Sequence, residues 1–314
     1  MDFFTHLIFG TLIYAFFFGD ITLDFFFLAA IFSILPDLDV FVMPLKRVFH
    51  SNYFEHRSGS HSYIIGIIIS ALIGGIYSLI MNQSFIIVWI IASIFYGLHV
   101  SMDLLTTTEI PFFYPISKKE YCFYVEKAGS MFTMLNSIFF INLWIVIGIF
   151  SGNYYVLRFF INFYTIYFMI YYLYRIISKV LVSSTLSSNQ KYFPGVLPFY
   201  FTIYNYEIND NQVSLRLERK SHFSKIQEIY NENIGLNPEE MALFEKAKEL
   251  SKANYYLAKW TMFPMFIKTN ETFSIRLYFL ETLMRNRTMN VQYDFSAINQ
   301  ELIKVRQGYG SILP

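Results

Sequence analysis

The sequence predicts an all-α polytopic membrane helical bundle of about six spans, followed by a small α+β cytoplasmic domain. Three observations predict it. Of 314 residues, 55% are hydrophobic, 20% aromatic and only 15% charged, far from the average of a soluble domain. The charges are uneven: of the Lys, Arg, Asp and Glu residues, 19 lie in 1–183 and 28 in the shorter 184–314. Several runs are also long and apolar enough for a helix of about 20 residues to cross a bilayer. The expected units are a transmembrane domain over 1–183 and a cytoplasmic domain over 184–314.

The elements follow in order. Residues 3–19 suffice for a short span, and the N-terminus reads as an anchor because no basic stretch and small-residue cleavage site frame it. Residues 22–43 are interrupted by Asp24, Pro36, Asp37 and Asp39, which predicts a kinked or re-entrant segment. The run 62–82 contains no charge, 84–105 none before Asp103, and 131–150 and 154–178 are apolar apart from Arg158 and Arg175. With six spans, the loops on one side carry Lys46, Arg47, Arg57, Lys118, Lys119 and Lys127, and the opposite loops carry no Lys or Arg. The positive-inside bias then places both termini in the cytoplasm, at the inner or plasma membrane. Lys118, Lys119 and Lys127 read as a solvated interfacial patch, and the Tyr and Phe of 154–174 as lipid-facing surface and aromatic belt.

In the tail, 198–206 and 212–219 alternate as a hairpin around Asn209-Asp210-Asn211. Asn237-Pro238-Glu239-Glu240 starts a helix that runs to about residue 257. Residues 262–268 and 273–283 read as further strands. No recognisable chemistry lies there. The net charge of +1 gives no basic face for nucleic acid, and the lone Cys122 excludes an internal disulfide.

Four polar islands stand in the apolar first third: His6; Pro36-Asp37-Leu38-Asp39; the segment from His56 and Arg57 to His61 and Ser62; and His99 with Asp103. Each alone has a structural reading: an interfacial histidine, a helix stop, a polar loop, a hydrogen-bonded pair between helices. All four fall on one membrane side in the six-span topology. Imidazole and carboxylate are costly beside lipid, so their gathering points to a functional site, most simply a metal centre. His99 and Asp103, four apart, share a helix face and suit one ion. Asp37 or Asp39 would bridge a second. His50 and His222 match no island and read as structural.

These residues resemble the YdjM-like membrane-bound metal-dependent hydrolases. That pattern has an early His, Pro-Asp-x-Asp, His-Arg-x-x-(Ser/Thr)-His-Ser and His-x-x-x-Asp, and the chain carries all four in order over roughly residues 1–120. It adds Asp103-Leu-Leu-Thr-Thr and Pro111-Phe-Phe-Tyr-Pro, with Glu109 where a glycine is usual. The family is similar in its His and Asp arrangement to zinc-dependent phospholipase C and P1-type nucleases, which implies a phosphoester substrate. By motif position the resemblance implies His6, Asp37, His56, His61, His99 and Asp103 as metal ligands, with Asp39 a ligand or an acceptor orienting a histidine. Asp37 is the alternative general base, and Arg57 the candidate for gripping a phosphate.

The expected activity is hydrolysis of a phosphoester such as a membrane phospholipid by metal-activated water. The His content suits zinc, and the carboxylates also suit manganese or iron. Two other classes compete. A metal or ion transporter would place ligands near the bilayer midplane, and a noncatalytic membrane scaffold would use a structural metal to staple helices. An intramembrane metalloprotease is disfavoured because no His-Glu-x-x-His occurs.

Overall fold

A computed structural model describes residues 1–18, 22–49, 55–209, 212–223, 228–255, 257–269, 272–284 and 287–312. The chain divides into two compact units, Met1–Val180 and Leu181–Pro314.

In the first unit, α1 (Phe3–Phe18) is capped by Asp2, whose carboxylate accepts from the Thr5 amide at 3.0 Å and hydroxyl at 2.6 Å. α2 (Leu23–Ile34) lies on α1, and Gly10 makes the approach possible, since a Cβ there would collide with Ser33. At Pro36 the α ladder cannot continue, because proline has no amide hydrogen to give. The chain tightens into a 3-10 segment, Leu35–Phe41. After a short helix α3 (Leu45–Phe49) and a described segment 55–62 that includes the 3-10 turn Gly59–His61, the long helices follow. They are α4 (Tyr63–Met81), α5 (Phe85–Leu104), α6 (Met131–Ser151) and α7 (Tyr154–Ser183), and by length and composition these four can cross a membrane. α1 is a shorter apolar helix. The expected break in 22–43 is the junction of α2 with the 3-10 segment.

The buried residues of α4 are small, Gly66, Ser70, Gly74 and Ser78 at four-residue intervals. They bring its backbone close to α5 while Leu72, Leu79 and Ile80 point outward. α5 is the central helix, packed on both α4 and α2. One core joins Tyr14, Phe32, Phe95 and Val100; another joins Ile8, Leu12, Phe140 and Phe168. Tyr164, Phe168, Tyr171 and Tyr172 of α7 are therefore buried, which corrects the reading of 154–174 as lipid-facing throughout.

Both span arginines have partners. Arg158 donates to the carbonyls of Ala15 and Phe16, orphaned at the end of α1. Arg175 pairs with Glu126. Residues 121–126 fold back over the end of α5, where the Phe123 amide donates to Leu104 and those of Val125 and Glu126 to Leu105. Lys127 lies in this fold-back and is buried, unlike the solvated lysine expected; burial pulls its ammonium down to about 8.

The second unit corrects the expected α+β domain to a two-sheet β domain with one α helix. β1 (Gln190–Pro194), β2 (Tyr200–Asn209), β3 (Gln212–Ser221) and β4 (Glu228–Gly235) form one antiparallel meander. β5 (Met262–Lys268), β6 (Thr272–Phe279), β7 (Arg287–Ser296) and β8 (Leu302–Ser311) form a second. The hairpin read from alternation is β2 and β3, closing at Asn209 opposite Gln212; Asp210 and Asn211 lie outside the described residues. α8 (Pro238–Lys252) starts where read, with Asn237 and Glu240 forming a reciprocal capping box, but ends about a turn earlier than expected. β1, β4, β7 and β8 are strands the sequence reading did not anticipate. His222 sits against Phe201, ring centroids 4.9 Å apart, and His50 lies outside the described residues.

Candidate metal centre

Local structure explains why the two aspartates face different ways. A 3-10 helix has three residues per turn, so Asp37 and Asp39 diverge by about 120°. Asp39 turns toward the histidine loop. There it accepts from the Arg57 amide at 3.1 Å and from the Ser60 hydroxyl, and lies 2.6 Å from His56 Nδ1 and 3.4 Å from His61 Nδ1. The loop holds this shape because Arg57 adopts a left-handed φ of 60°, and because the Tyr96 hydroxyl donates to the Ser60 carbonyl at 2.6 Å. Gly66 leaves room for the Tyr96 ring. Ser62 then caps α4 and donates to the Tyr114 carbonyl at 2.5 Å, tying in the Pro111–Pro115 segment.

Asp37 turns the other way, toward α1 and α5. His99 Nδ1 lies 2.7 Å from the Ser33 carbonyl. A carbonyl oxygen only accepts, so that nitrogen carries the hydrogen and Nε2 presents its lone pair. His61 is oriented likewise by Asp39 behind its Nδ1. The two Nε2 atoms consequently face each other at 3.2 Å. His61 Nε2 is 3.1 Å from Asp103 Oδ2 and 3.5 Å from Asp37 Oδ1, and His99 Nε2 is 3.6 Å from the same Asp37 oxygen. His6 stacks on His99, centroids 3.6 Å apart, with its Nε2 at 3.2 Å from Asp103 Oδ1.

The donor set fits a divalent cation. Four acceptor atoms converge where none has a proton to give. Asp37 Oδ1 is buried and makes no hydrogen bond, a costly state that a bound cation would relieve; Asp103 Oδ2, likewise without a hydrogen bond, already faces the Arg57 guanidinium. Tetrahedral bonds of 2.0–2.2 Å set ligand atoms about 3.4 Å apart, close to the separations here. Two groups have ligand atoms all within 4.8 Å: His6, Asp37, His99 and Asp103, and Asp37, His56 and His61. Asp37 belongs to both.

Every residue expected as a ligand is thus brought together, with Asp39 behind the histidines. Arg57, the candidate for gripping a phosphate, lies beside Asp103. It is buried, donates through Nη2 to the Met1 carbonyl at 2.6 Å, and sets Nε 3.3 Å from Asp103 Oδ2. The Met1 ammonium also contacts Asp103. Sequence reasoning gave no role to Met1, Ser60, Tyr96 or the Ser33 carbonyl. Ser60 carried a signal as the Ser/Thr position of the histidine motif, and Tyr96 as the residue three before His99, on the same helix face.

The sequence model of the YdjM inner membrane proteins matches residues 1–181. The chain belongs to the YdjM inner membrane protein family. No curated protein and no solved structure matches it. The match takes in all four polar islands and the four long apolar helices of this YdjM protein, and stops where the two-sheet unit begins.

The arrangement around Asp39 gives a first prediction. Asp39→Asn keeps the size of the side chain but removes the charge that holds two imidazoles. Metal affinity, measured by calorimetric titration, is expected to fall about 10–100-fold with the melting temperature little changed. Unchanged affinity would remove Asp39 from its orienting role.

Proposed function

We propose that this YdjM protein is a metal-dependent hydrolase of the inner membrane that cleaves a phosphoester, such as a phospholipid, at the cytoplasmic face. One observation carries the reading: Nε2 of His61 and His99 and the buried oxygens of Asp37 and Asp103 converge with their tautomers set from behind. His6, Asp37, His99 and Asp103 would hold one ion, and Asp37, His56 and His61 a second. Zinc suits this donor set, with manganese or iron as alternatives.

A bound ion there would bring a water toward neutral pKa and polarise a phosphoryl oxygen. The chain's own residues do the rest. Asp39 and the Ser33 carbonyl hold ring hydrogens on the far side of His56, His61 and His99. Arg57 orients Asp103. Asp37, with a side chain 10% exposed, and His56, at 28%, are the accessible edge, whereas the side chains of His61, His99 and Asp103 are fully enclosed. A closed structural site has no such edge, which favours catalysis over stapling. Asp37 on that edge is placed to accept a proton from an attacking water.

The donors also lie near helix ends, His6 in the first turn of α1 and His99 and Asp103 in the last turns of α5. That favours a site near one membrane face over the midplane site of a transporter. Counting α1 and α2 as crossings with the four long helices gives six, and puts both termini with Lys46, Arg57, Lys118 and Lys119 on the cytoplasmic side.

The test is turnover of phosphomonoesters, phosphodiesters and phospholipid by detergent-purified protein supplied with zinc or manganese. His61→Ala and Asp103→Ala are expected to lower it about 10³-fold, or about 4 kcal/mol of barrier, while remaining monodisperse. Unfolding of both variants would favour the stapling role, and wild-type protein inert on every phosphoester would end the hydrolase reading.

A further inference from the structure

The segment beside the accessible edge is unusual for a loop. Leu38, Val40, Phe41, Val42, Leu45, Val48 and Phe49 are all exposed, Phe41 at 79% and Val48 at 68%. Connecting segments that face water are polar, and clustered exposed apolar side chains mark a contact surface. The 3-10 geometry ties this surface to the site. Residues three apart stack in one column, so Leu38 stands over Phe41, and Val40 stands one turn beyond Asp37. The apolar surface continues back along α2 through Phe27 and Ile31, both exposed. α2 is an apolar helix of 12 residues, about 18 Å long. Within 40–49 the charged residues are Lys46, which pairs with Glu55, and Arg47, so this stretch carries no acidic side chain to repel an anionic lipid surface. Asp37, on the accessible edge, lies in the same 3-10 segment as Leu38, Val40 and Phe41.

We propose that residues 38–49 form an apolar lip seated in the lipid interface, and that the metal centre opens over it. Its substrate is then a lipid phosphodiester drawn sideways from the leaflet, not a phosphoester arriving from solution. The substrate half of this inference rests on the hydrolase reading; the seating of the lip does not. Burying Phe41 in the headgroup–acyl boundary follows the logic of interfacial segments, whose apolar face sinks about 5–10 Å into that boundary.

The test uses the full chain in phosphatidylethanolamine–phosphatidylglycerol vesicles. In a Cys122→Ser background, a nitroxide is attached at Phe41→Cys and, for comparison, at Lys252→Cys, an exposed position of α8. Oxygen, which partitions into lipid, is expected to collide with the label at 41 about tenfold more than aqueous chromium oxalate does, relative to 252. A label at 41 as open to chromium oxalate as that at 252 overturns the proposal. Shielding from both reagents also overturns it, because protein and not lipid would then cover the lip. Separately, Phe41→Asn is expected to slow hydrolysis of vesicle phospholipid about tenfold, in keeping with the burial of one large apolar side chain, and to leave bis(p-nitrophenyl) phosphate turnover within about twofold. Equal losses on both substrates, or no loss on lipid, overturn the lateral route. Wild-type protein that cleaves neither, with position 41 in lipid, overturns the hydrolase reading and the substrate half of the inference together, and supports the lip.

Discussion

Glu126→Ala is expected to destabilise the membrane unit by about 3–5 kcal/mol, because it breaks a buried ion pair by removing one partner. Glu126 and Arg175 are both fully enclosed. The carboxylate accepts from Arg175 Nη2 at 2.8 Å and Nε at 3.1 Å, from the Tyr171 hydroxyl at 2.5 Å and from the Lys127 amide at 3.0 Å. It thereby clamps the fold-back after α5 onto α7, and removing it takes two hydrogen bonds from the buried Arg175 guanidinium and one from the Tyr171 hydroxyl. The melting temperature in detergent should fall by about 10 °C. The double variant Glu126→Ala, Arg175→Met should recover at least half of that loss, since a buried pair replaced by apolar groups costs far less than half a pair. A single variant that melts with the wild type would show that water reaches Arg175.

Asp37→Ala has the largest expected effect on chemistry. It is the one residue shared by both candidate ligand groups, its inner oxygen lying 3.5 Å from His61 Nε2, 3.6 Å from His99 Nε2 and 3.9 Å from His56 Nε2. Its loss removes a ligand from each group and the proton acceptor at the open edge. Turnover is expected to fall at least about 10³-fold, or about 4 kcal/mol of barrier. His56→Ala touches only the second group and should leave the first occupied. If Asp37→Ala and His56→Ala lose the same metal and the same activity, the two groups are one site.

The four long apolar helices were legible because lipid imposes length and apolarity on a span. The polar islands stood out for the same reason, since His6, Asp37, His61, His99 and Asp103 lie at or within long apolar runs. Their division of labour was not legible. Asp37 and Asp39 look alike in sequence, and only the three-residue turn sends one toward the converging lone pairs and the other behind the rings. The Ser33 carbonyl is backbone and leaves no mark in sequence. The contact of Arg57 with Asp103 was not legible, because its left-handed φ and the fold of the histidine loop leave no mark in the sequence. In the tail, the Asn237 cap carried its own signature, whereas β8, exposed along nearly its whole length, shows little of the one-sided burial that marks a strand.

Metal bound per chain, measured by elemental analysis of detergent-purified wild-type protein beside Asp37→Ala, tests the metal centre most directly. The account predicts one or two equivalents of a divalent transition metal in the wild type and loss of at least one in the variant, with both proteins equally monodisperse. A wild-type protein that takes up neither zinc nor manganese when supplied with them would contradict it.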